Sequence, residues 1–537
     1  LYQQDKGTLL GRKTSRTKQE DHCRVSLVVV VRIEGKMTKN KPISGKVCQV
    51  FEKNFSKTFF IDPVEDVSYS YGELLCMASE FGKQLDSVGK LNGSNVALML
   101  RNQKSYMPVL LACWKRNIIA SVMAPDTMED KFETIRNLIP FKLIITDFDL
   151  PKKTSKGLQN EKFIFKKPSK LTEFTRFEIG LSEKAPCLIL FTSGSTGTPK
   201  CVPLSFDNIT NNVNAFCRRL DIREKDRFIC TSPPWYAHGL YNSLLTSFII
   251  GSSTLSPGIL NVLNCRNILL QSSMHNANIY HLTPSMIKIL AMVGRKVDFP
   301  LPKFKKVICG TARLEKNDKK DFEKIFGVPV IQQYGMTETL FMCVNDRGME
   351  TYPESVGVPV GCKIKVIGPE GRSLKHNSTG QILCKTKSMF GSYYMQEKET
   401  ADSYRKGWFQ TGDIGFFNKK NYLFITGRLK EIIKKGGFNI NPNEIDSVLL
   451  KISSVKQAKT LGIPDKTYGE EIISFVVASG ENFTETSLRR ACAKKLPGTH
   501  IPKRIFLIKN MPLTSTGKIS NTKLIDMAKN YIKIKGV

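Results

Sequence analysis

The sequence predicts an α/β protein with a large N-terminal domain of mainly parallel sheets flanked by helices, followed by a small C-terminal domain of mixed helices and strands. Two observations lead to this prediction. Short apolar stretches rich in β-forming residues alternate with longer stretches of helical period, which is the pattern of βαβ units. A charged, glycine-containing turn after residue 427 then separates this alternating body from a compact run of short helices and strands.

The elements of the large domain follow from their apolar patterns. Between Tyr71 and Val88 apolar residues recur every three or four positions, which predicts a helix. The predicted strands are the apolar runs at 95–100, 141–147, 188–192 and 306–310. The lysine-rich stretch 150–184 precedes the third of these strands, and we expect it to be a surface excursion that is poor in strands.

The sequence divides into three predicted segments. Residues 1–36 are basic and polar apart from a short apolar run, and we expect a disordered extension or upstream translated sequence rather than a targeting segment. Residues 37–427 form the large domain and residues 428–537 the small one. Within the small domain Asn441 is placed to cap a helix that begins at Pro442, because proline suits the first helical position.

Charge and composition exclude several classes of protein. The chain carries 81 Lys plus Arg against 48 Asp plus Glu, a formal net charge of +33 that favours anionic ligands. No zinc finger, RNA-recognition signature or basic helix leading into heptads is present, so we expect no specific nucleic-acid partner. No apolar run reaches the roughly 20 residues of a transmembrane helix, and we expect no transmembrane segment.

The cysteines and histidines form no metal-binding pattern. The 14 cysteines include no CxxC pair, and the six histidines are not spaced as metal ligands, so we do not expect a zinc enzyme. Scattered cysteines in a chain of this size are typical of a reducing compartment. We therefore expect a cytoplasmic protein.

One motif places glycines, hydroxyls and a lysine directly after a predicted strand, in the stretch LILFTSGSTGTPK at 188–200. Glycines let backbone N–H groups turn toward phosphate oxygens, hydroxyls add donors, and a lysine adds positive charge. Pro199 stands where a Walker A loop needs its second glycine, so the motif is not a P-loop. A plain glycine–serine hairpin turn is the alternative. The candidate phosphate-binding residues are Thr192, Ser193, Gly194, Ser195, Thr196, Gly197 and Lys200.

The same motif resembles the phosphate-binding signature of the adenylate-forming superfamily, which includes acyl-CoA synthetases, luciferases and the adenylation domains of peptide synthetases. Seven further stretches are similar to motifs of that superfamily in order and spacing: WYAHGL at 235–240, HLTPS at 281–285, QQYGMTET at 332–339, SVGVP at 355–359, GWFQTGDIG at 407–415, GRLKEIIKKGG at 427–437 and PLTSTGKIS at 512–520. The resemblance spans nearly everything after Met37.

The resemblance implies a two-step reaction. A carboxylate attacks the α-phosphate of ATP to give an acyl adenylate and pyrophosphate, and a thiol such as that of CoA then displaces AMP to form a thioester. It implies ATP, Mg²⁺ and CoA as cofactors, a small-molecule carboxylic acid as substrate, and fatty acid metabolism as the setting. Residues 192–200 would hold the β- and γ-phosphates, Glu338 and Thr192 would ligate Mg²⁺, and Thr337 would hydrogen-bond the α-phosphate.

The nucleoside would be held by residues from several motifs. By resemblance, Tyr334 stacks on adenine, although core packing is the alternative for this ring. Asp413 has an acceptor pair suited to the two ribose hydroxyls, and Arg428 can reach the same sugar or the phosphate as a fixed donor fork. The loop Gly310, Thr311 and Ala312, together with Gly335, would complete the adenine site.

The small domain would contribute to both steps. By resemblance, Lys518 bridges the attacking carboxylate and the α-phosphate, so the small domain must close over the large one. It is expected to be mobile and to dock again between the steps, with Lys430 at the hinge. Gly437 would leave room for the pantetheine arm, and Lys434 in the same loop could assist transfer.

The acid would bind beside His238, to which the resemblance gives an orienting or gating role rather than that of a general base. Its pocket is expected to be lined by 235–240, 281–284 and 308–314. Three places depart from the superfamily pattern, one of them in the final motif, where Ser520 and Asn521 replace the arginine that often follows GKI. Cys201 replaces a usual glycine, and Arg313 replaces a small residue or proline. Arg313 could stack on adenine, pair with a second carboxylate of the substrate, or point outward.

Other functions stay open at this stage. The nearest alternative is a stand-alone adenylation enzyme that loads the phosphopantetheine of a separate carrier protein. A nucleotide-binding protein without catalysis and a polyanion-binding protein that uses the +33 charge are further alternatives. The motifs identify neither the acid nor an oligomeric state.

Overall fold

The computed structural model describes residues 44–150, 157–168, 182, 184–192, 199–479, 484–514 and 519–535, all within the unit that runs from Lys41 to Val537. The predicted extension 1–36 lies outside these residues. The helices are α1 (Ser44–Asn54), α2 (Tyr71–Val88), α3 (Gln103–Lys115), α4 (Glu129–Leu138), α5 (Phe206–Leu220), α6 (Ala237–Gly239), α7 (Thr246–Ile249), α8 (Cys265–Met274), α9 (Pro284–Gly294), α10 (Lys316–Phe326), α11 (Glu397–Ser403), α12 (Pro442–Leu449), α13 (Glu485–Ala493) and α14 (Asn521–Lys535). A π-helix spans Leu240–Leu245, and 3₁₀ turns span Leu429–Glu431 and Gly498–His500.

The strands cluster in four sheets. They are β1 (Thr58–Asp62), β2 (Val67–Ser70), β3 (Asn95–Met99), β4 (Ile119–Val122), β5 (Phe141–Thr146), β6 (Gln159–Lys162), β7 (Pro186–Thr192), β8 (Lys200–Ser205), β9 (Arg227–Ile229), β10 (Ser253–Leu255), β11 (Ile279–Leu282), β12 (Lys306–Cys309), β13 (Val330–Met336), β14 (Leu340–Asn345), β15 (Val358–Pro359), β16 (Cys362–Ile367), β17 (Gly380–Thr386), β18 (Tyr404–Arg405), β19 (Trp408–Phe417), β20 (Leu423–Arg428), β21 (Ile433–Lys435), β22 (Phe438–Ile440), β23 (Val455–Asp465), β24 (Gly469–Ala478) and β25 (Arg504–Leu507).

Two of the sheets are mainly parallel and share one core. The large sheet has the order β15-β14-β13-β12-β11-β9-β10-β1-β2, and the second sheet has the order β6-β5-β3-β4-β7-β8. Helices α2, α3 and α5 bury apolar side chains in a single core with strands of both sheets. The outer face of the large sheet is covered by α8, α9 and α10, and that of the second sheet by α4. Coverage on both faces explains why their strands appear in the sequence as continuous apolar runs.

The other two sheets are mostly antiparallel. A five-stranded sheet of β16–β20 packs beside β13 and β14, through a cluster that includes Tyr334, Met342 and Leu423. The C-terminal sheet of β21–β25 is covered by α12 and α13 on one side and by α14 on the other. In α12, Asn441 is the N-cap and Pro442 the first helical residue, as predicted.

The stretch 150–184, which we expected to be poor in strands, contains in its described part the four-residue strand β6. This strand pairs parallel with β5 at the edge of the second sheet. The helix predicted from Tyr71 to Val88 has these bounds in α2, which starts with a capping box between Ser70 and Glu73. Among the described helices, none combines the length and the apolar character needed to cross a bilayer.

Candidate active site

The predicted nucleotide residues meet where β13 and β14 of the large sheet face β19 and β20. Tyr334 and Gly335 lie near the carboxyl end of β13, and Glu338 lies in the turn that leads to β14. A Cβ atom on Gly335 would clash with the carbonyl oxygen of Leu340, so only glycine allows the bulged pairing that forms this turn. Open α/β sheets bind ligands at the carboxyl ends of their strands, which is where this junction lies.

Asp413 is a buried carboxylate that accepts hydrogen bonds from two side chains. It lies on β19 directly opposite Arg428 of β20, and its side chain is only 4% exposed. Arg428 Nε donates to Asp413 Oδ1 over 2.8 Å, and the hydroxyl of Tyr334 donates to Asp413 Oδ2 over 2.6 Å. The Arg428 side chain is 47% exposed, so the rest of its donor fork can reach a ligand beside the carboxylate.

Tyr334 belongs to the core and to the site at once. Its ring is 8% exposed and packs in the cluster between the large sheet and the β16–β20 sheet. Burial, followed by the negative charge of Asp413, raises the pKa of its phenol well above the usual value, so the hydroxyl stays a donor. Both the predicted adenine contact and the alternative of core packing are compatible with this position.

Glu338 is linked to Lys200 through a tyrosine. The hydroxyl of Tyr393 donates to Glu338 Oε1 over 3.0 Å and accepts from Lys200 Nζ over 3.4 Å. Lys200 Nζ also lies 4.5 Å from the centroid of the Tyr393 ring. Glu338 is 5% exposed, and burial raises the pKa of its carboxyl despite these partners. A buried carboxylate that is harder to ionise is suited to a cation that compensates its charge.

The phosphate motif occupies the connection between β7 and β8. Thr192 ends β7 half-buried and pairs across the strands with Lys200, the first residue of β8. Ser193, Gly194, Ser195, Thr196 and Gly197 lie outside the described residues. The strands on either side of the motif, β7 and β8, form an antiparallel hairpin, which agrees with the alternative prediction of a plain glycine–serine hairpin turn. Lys200 nevertheless contacts Tyr393, which contacts Glu338, so this end of the motif belongs to the site.

Gln396 was not identified from the sequence, but it forms hydrogen bonds with the backbone of both neighbours of Lys200. Its Nε2 donates to the carbonyl oxygen of Pro199 over 3.1 Å, and its Oε1 accepts from the backbone N–H of Cys201 over 2.8 Å. Cys201 itself is fully buried, and burial raises the pKa of its thiol to about 12, so it is an inert packing residue. Gln396 and Tyr393 stand in a stretch that matches none of the quoted motifs.

The predicted adenine loop follows β12. Gly310 is buried, and a Cβ atom there would lie 2.7 Å from Gln333 Oε1. Thr311 has a φ of 76°, and both it and Ala312 are exposed. Arg313 is exposed as well, and its Nη1 donates to Ser447 Oγ of α12 over 3.2 Å. Of the three roles considered for Arg313, the outward orientation agrees with this contact. Thr337 is half-buried beside Glu338.

The predicted acyl residues meet at the ends of β9 and β11. His238 lies in α6, and its Nδ1 is 2.8 Å from Ser232 Oγ. His281 on β11 is 3% exposed, and burial, followed by the proximity of His238, lowers the pKa of its imidazole well below the usual value. Both histidines therefore belong to one neighbourhood, and His281 is neutral there. Ser232, which orients His238, was not identified from the sequence.

A packed aromatic cluster fills the space next to His281. The rings of Phe216 and Phe341 stack with centroids 3.8 Å apart, and Phe341 stacks on His281 at 5.7 Å. Tyr241 lies 4.9 Å from Phe341, and its hydroxyl donates to Asn212 over 2.5 Å. The side chain of Asn212 in turn bonds the backbone N–H and carbonyl of Phe341. The cluster is thus fixed by hydrogen bonds as well as by stacking.

The small-domain residues are on exposed turns. Lys434 is exposed on β21, and its backbone N–H donates to Glu470 Oε2 over 2.5 Å. Gly437 has a φ of 83° in the turn to β22, and no atom lies within 4 Å of the position of a Cβ. Lys430 is exposed in the 3₁₀ turn after β20. Lys518 lies outside the described residues, so its predicted role stays a prediction.

Family models identify the class of protein. The AMP-binding enzyme model matches residues 49–394, and the AMP-binding enzyme C-terminal domain model matches residues 444–518. The chain belongs to the AMP-binding enzyme family, and the predicted superfamily is confirmed.

Individual relatives extend this result. The oxalate–CoA ligase of Arabidopsis thaliana is 32% identical over 339 residues, which are 62% of this chain and 65% of that protein, just under two thirds of its length. The sulfoacetate–CoA ligase of Cupriavidus necator is 31% identical over 349 residues, 64% of this chain and 67% of that protein. The solved structure of ATP-bound MatB from Rhodopseudomonas palustris is similar with a TM-score of 0.81 at 22% identity, over 91% of this chain and 99% of MatB. This likeness confirms the predicted fold class, whereas the boundary at residue 427 stays a prediction.

Proposed function

We propose that this protein converts a short carboxylic acid, ATP and CoA into an acyl-CoA, AMP and pyrophosphate. By its family and its relatives it is an AMP-forming acid–CoA ligase that uses ATP and CoA. The observation that carries the proposal is the convergence of Lys200, Tyr334, Glu338, Asp413 and Arg428, from widely separated parts of the chain, on one junction.

The Asp413–Arg428 pair is suited to the ribose of ATP. A carboxylate has about four acceptor positions, so Asp413 can receive two ribose hydroxyls while it keeps the Tyr334 and Arg428 donors. Because the side chain of Asp413 is 4% exposed, water competes poorly for these positions. The adenine would then lie along the loop Gly310–Ala312, on the side of the exposed residues Thr311 and Ala312.

Glu338 is suited to bind Mg²⁺. No group of three or more histidine, cysteine or acidic side chains converges within the part of the chain that the structure describes. Mg²⁺ is commonly held by one or two carboxylates together with substrate phosphates and waters, so the buried carboxylate of Glu338 fits this ion, and the hydroxyl of Thr192 would be its second protein ligand. When bound, the ion supplies positive charge against the phosphates.

The first step needs positive charge at the phosphates and a fixed geometry. Lys200 and the backbone of 193–198 would hold the β- and γ-phosphates, Thr337 the α-phosphate, and Lys518 would offset the charge that develops between two approaching anions. Gln396 contributes by fixing the backbone on both sides of Lys200. In the second step Lys434 and Gly437 would face the pantetheine arm after the small domain has docked again.

The acid is inferred to be short because Phe216, Tyr241 and Phe341 fill the space next to His281, the histidine that neighbours His238. Side chains packed and hydrogen-bonded in this way can yield to a long acyl chain only at a large energetic cost. Oxalate and sulfoacetate, the acids named for the two relatives, are short and carry two negative charges. The formal charge of +33 favours such substrates.

The test is acid-dependent ATP–pyrophosphate exchange with acetate, oxalate, malonate, sulfoacetate, succinate, hexanoate and dodecanoate. Exchange with the short acids and none with dodecanoate is expected. Exchange with dodecanoate alone would contradict the short-acid proposal but leave the ligase intact. The isosteric variant Glu338→Gln is the matched control, since it keeps the shape of the site and removes the charge proposed to hold Mg²⁺.

The acceptor and the setting are tested separately. Each active acid is offered with CoA and with a phosphopantetheinylated carrier protein, and faster transfer to CoA is expected. Transfer to the carrier alone would favour the stand-alone adenylation enzyme. The expectations of fatty acid metabolism and of a cytoplasmic location stay predictions.

A further inference from the structure

An exposed apolar loop projects from the face of the large sheet that α8 and α9 cover. The loop spans 259–264, between β10 and α8. Leu263 is 94% exposed, Val262 is 54% exposed and Ile259 is 37% exposed. Single exposed apolar residues are common on protein surfaces, but three within five positions at the tip of one loop form a continuous apolar feature.

The backbone of this loop is fixed, although its tip is exposed. Asn261 Oδ1 accepts from the N–H groups of Leu263 and Asn264 over 2.8 and 3.0 Å. Asn264 Oδ1 accepts from the N–H of Asn261 over 2.9 Å, and its Nδ2 donates to the carbonyl of Ile259 over 2.8 Å. Leu260 is buried below the tip. The hydrogen bonds formed by Asn261 and Asn264 therefore fix the loop in a conformation that leaves the side chains of Val262 and Leu263 exposed.

The surroundings of the loop are basic. Residues 256–306, which comprise the loop, α8, α9 and the connection to β12, contain seven lysines and arginines and one acidic residue, Asp298. Arg266 stands three positions after Leu263, in the first turn of α8; its side chain is 53% exposed and pairs with Asp298. Arg295, which pairs with Asp321, and Lys296 and Lys303 are exposed in the same segment. The segment that carries the apolar tip therefore keeps an excess of positive charge, although two of its arginines are paired.

We propose that the 259–264 loop docks this protein on a membrane surface rich in acidic phospholipid. Val262 and Leu263 would enter the boundary between headgroups and acyl chains, and the cationic segment would be attracted to the lipid charges. One apolar anchor alone gives only marginal membrane binding, and a second, electrostatic signal makes it stable. Both signals are present in this one segment.

Other partners fit the surface less well. A second copy of this chain would bring a net charge of +33 toward an equal charge. A nucleic acid would match the charge, but single strands bind by stacking on aromatic rings, and the tip carries only aliphatic side chains. An anionic bilayer satisfies the apolar tip and the charge together. Docking of this kind does not depend on which acid the site activates.

The test is co-sedimentation of the full chain with vesicles of phosphatidylcholine alone and with vesicles that also contain phosphatidylserine. Binding to the acidic vesicles is expected, and it should weaken with increasing salt. Leu263→Asp should reduce the binding constant for acidic vesicles at least about tenfold, because it removes an apolar side chain that the lipid would bury and adds a negative charge. Val262→Asp, at the second side chain of the tip, should act in the same direction.

The matched control is Met128→Asp, which replaces another apolar side chain, 72% exposed at the start of α4, and changes the net charge by the same unit. It should weaken binding by less than about fivefold, since one charge near a membrane contributes no more than that. Equal losses for Leu263→Asp and Met128→Asp would show that overall charge alone attracts the protein, and would overturn the proposal. Absence of binding to acidic vesicles, or equal binding to neutral ones, would overturn it too. Thermal unfolding of each variant, expected to match the parent, separates a lost contact from a lost fold.

Discussion

Tyr393→Phe removes a single oxygen atom that connects Lys200 to Glu338. The ring stays, so the packing and the 4.5 Å approach of Lys200 Nζ to its centroid are kept. The lost bond is 3.0 Å long and joins a hydroxyl to a carboxylate that is 5% exposed, where water cannot easily take its place. A hydrogen bond to a charged group contributes about 1.5–3 kcal/mol. The free carboxylate would then be held less firmly for Mg²⁺, and we expect adenylation to fall roughly ten- to a hundredfold.

The assay for this variant is acid-dependent ATP–pyrophosphate exchange at increasing concentrations of Mg²⁺, with thioester formation from a supplied acyl adenylate measured in parallel. The exchange rate should fall and the Mg²⁺ requirement should rise, while the second half-reaction stays near that of the parent. Tyr404→Phe is the matched control, because Tyr404 lies in the same aromatic cluster but its hydroxyl donates to the backbone carbonyls of Phe390 and Gly391. Equal losses in Tyr393→Phe and Tyr404→Phe would refute the reasoning.

Three further predictions concern charge. Because burial raises the pKa of Glu338, kcat/KM for ATP should decrease when this carboxyl becomes protonated, and this should begin at a higher pH than for an exposed carboxyl. A pH profile of the unmodified protein without such a decrease on the acidic side would contradict the proposed role of Glu338. Burial raises the pKa of Asp446 in α12 to about 6, so the folded state loses stability as pH rises from about 4 to about 6, and above that the penalty is constant at about 3 kcal/mol. Asp446→Asn should therefore raise the unfolding temperature at pH 7.5, and its advantage should shrink toward pH 4. Asp465→Asn, at the end of β23, should show no such gain, because backbone hydrogen bonds from Tyr468 and Thr467 lower the pKa of its carboxyl. Lys518→Ala should abolish adenylation and largely spare transfer from a supplied acyl adenylate; equal loss of both half-reactions would argue against a small domain that docks in two orientations.

The sequence predicted what depends on local pattern. The helix from Tyr71 to Val88 has an apolar period and a capping box of its own, and the strands of the parallel sheets are continuous apolar runs because both faces are buried. The β16–β20 sheet was not predicted as a separate antiparallel sheet. Its strands are half-buried and alternate in exposure, so their apolar signal is weaker than that of the parallel strands.

The residues that the sequence did not reveal act through contacts between distant parts of the chain. Tyr393 is 193 positions from Lys200, and Gln396 is 195 positions from Cys201. No motif near Tyr393 or Gln396 in the sequence predicts these hydrogen bonds, because tyrosine and glutamine occur in many kinds of position. Arg313 shows the same limit. Its departure from the superfamily pattern was visible, but its contact with Ser447 of α12 was not, because the two residues are 134 positions apart.

The most direct measurement of the central claim is a complete product balance for the purified chain with ATP, CoA and one short acid. The account predicts AMP, pyrophosphate and acyl-CoA in equal amounts, each formed only when the acid is present, and predicts that Asp413→Asn greatly reduces all three. Release of ADP and phosphate in place of AMP, or AMP formation that does not depend on any acid, would contradict it.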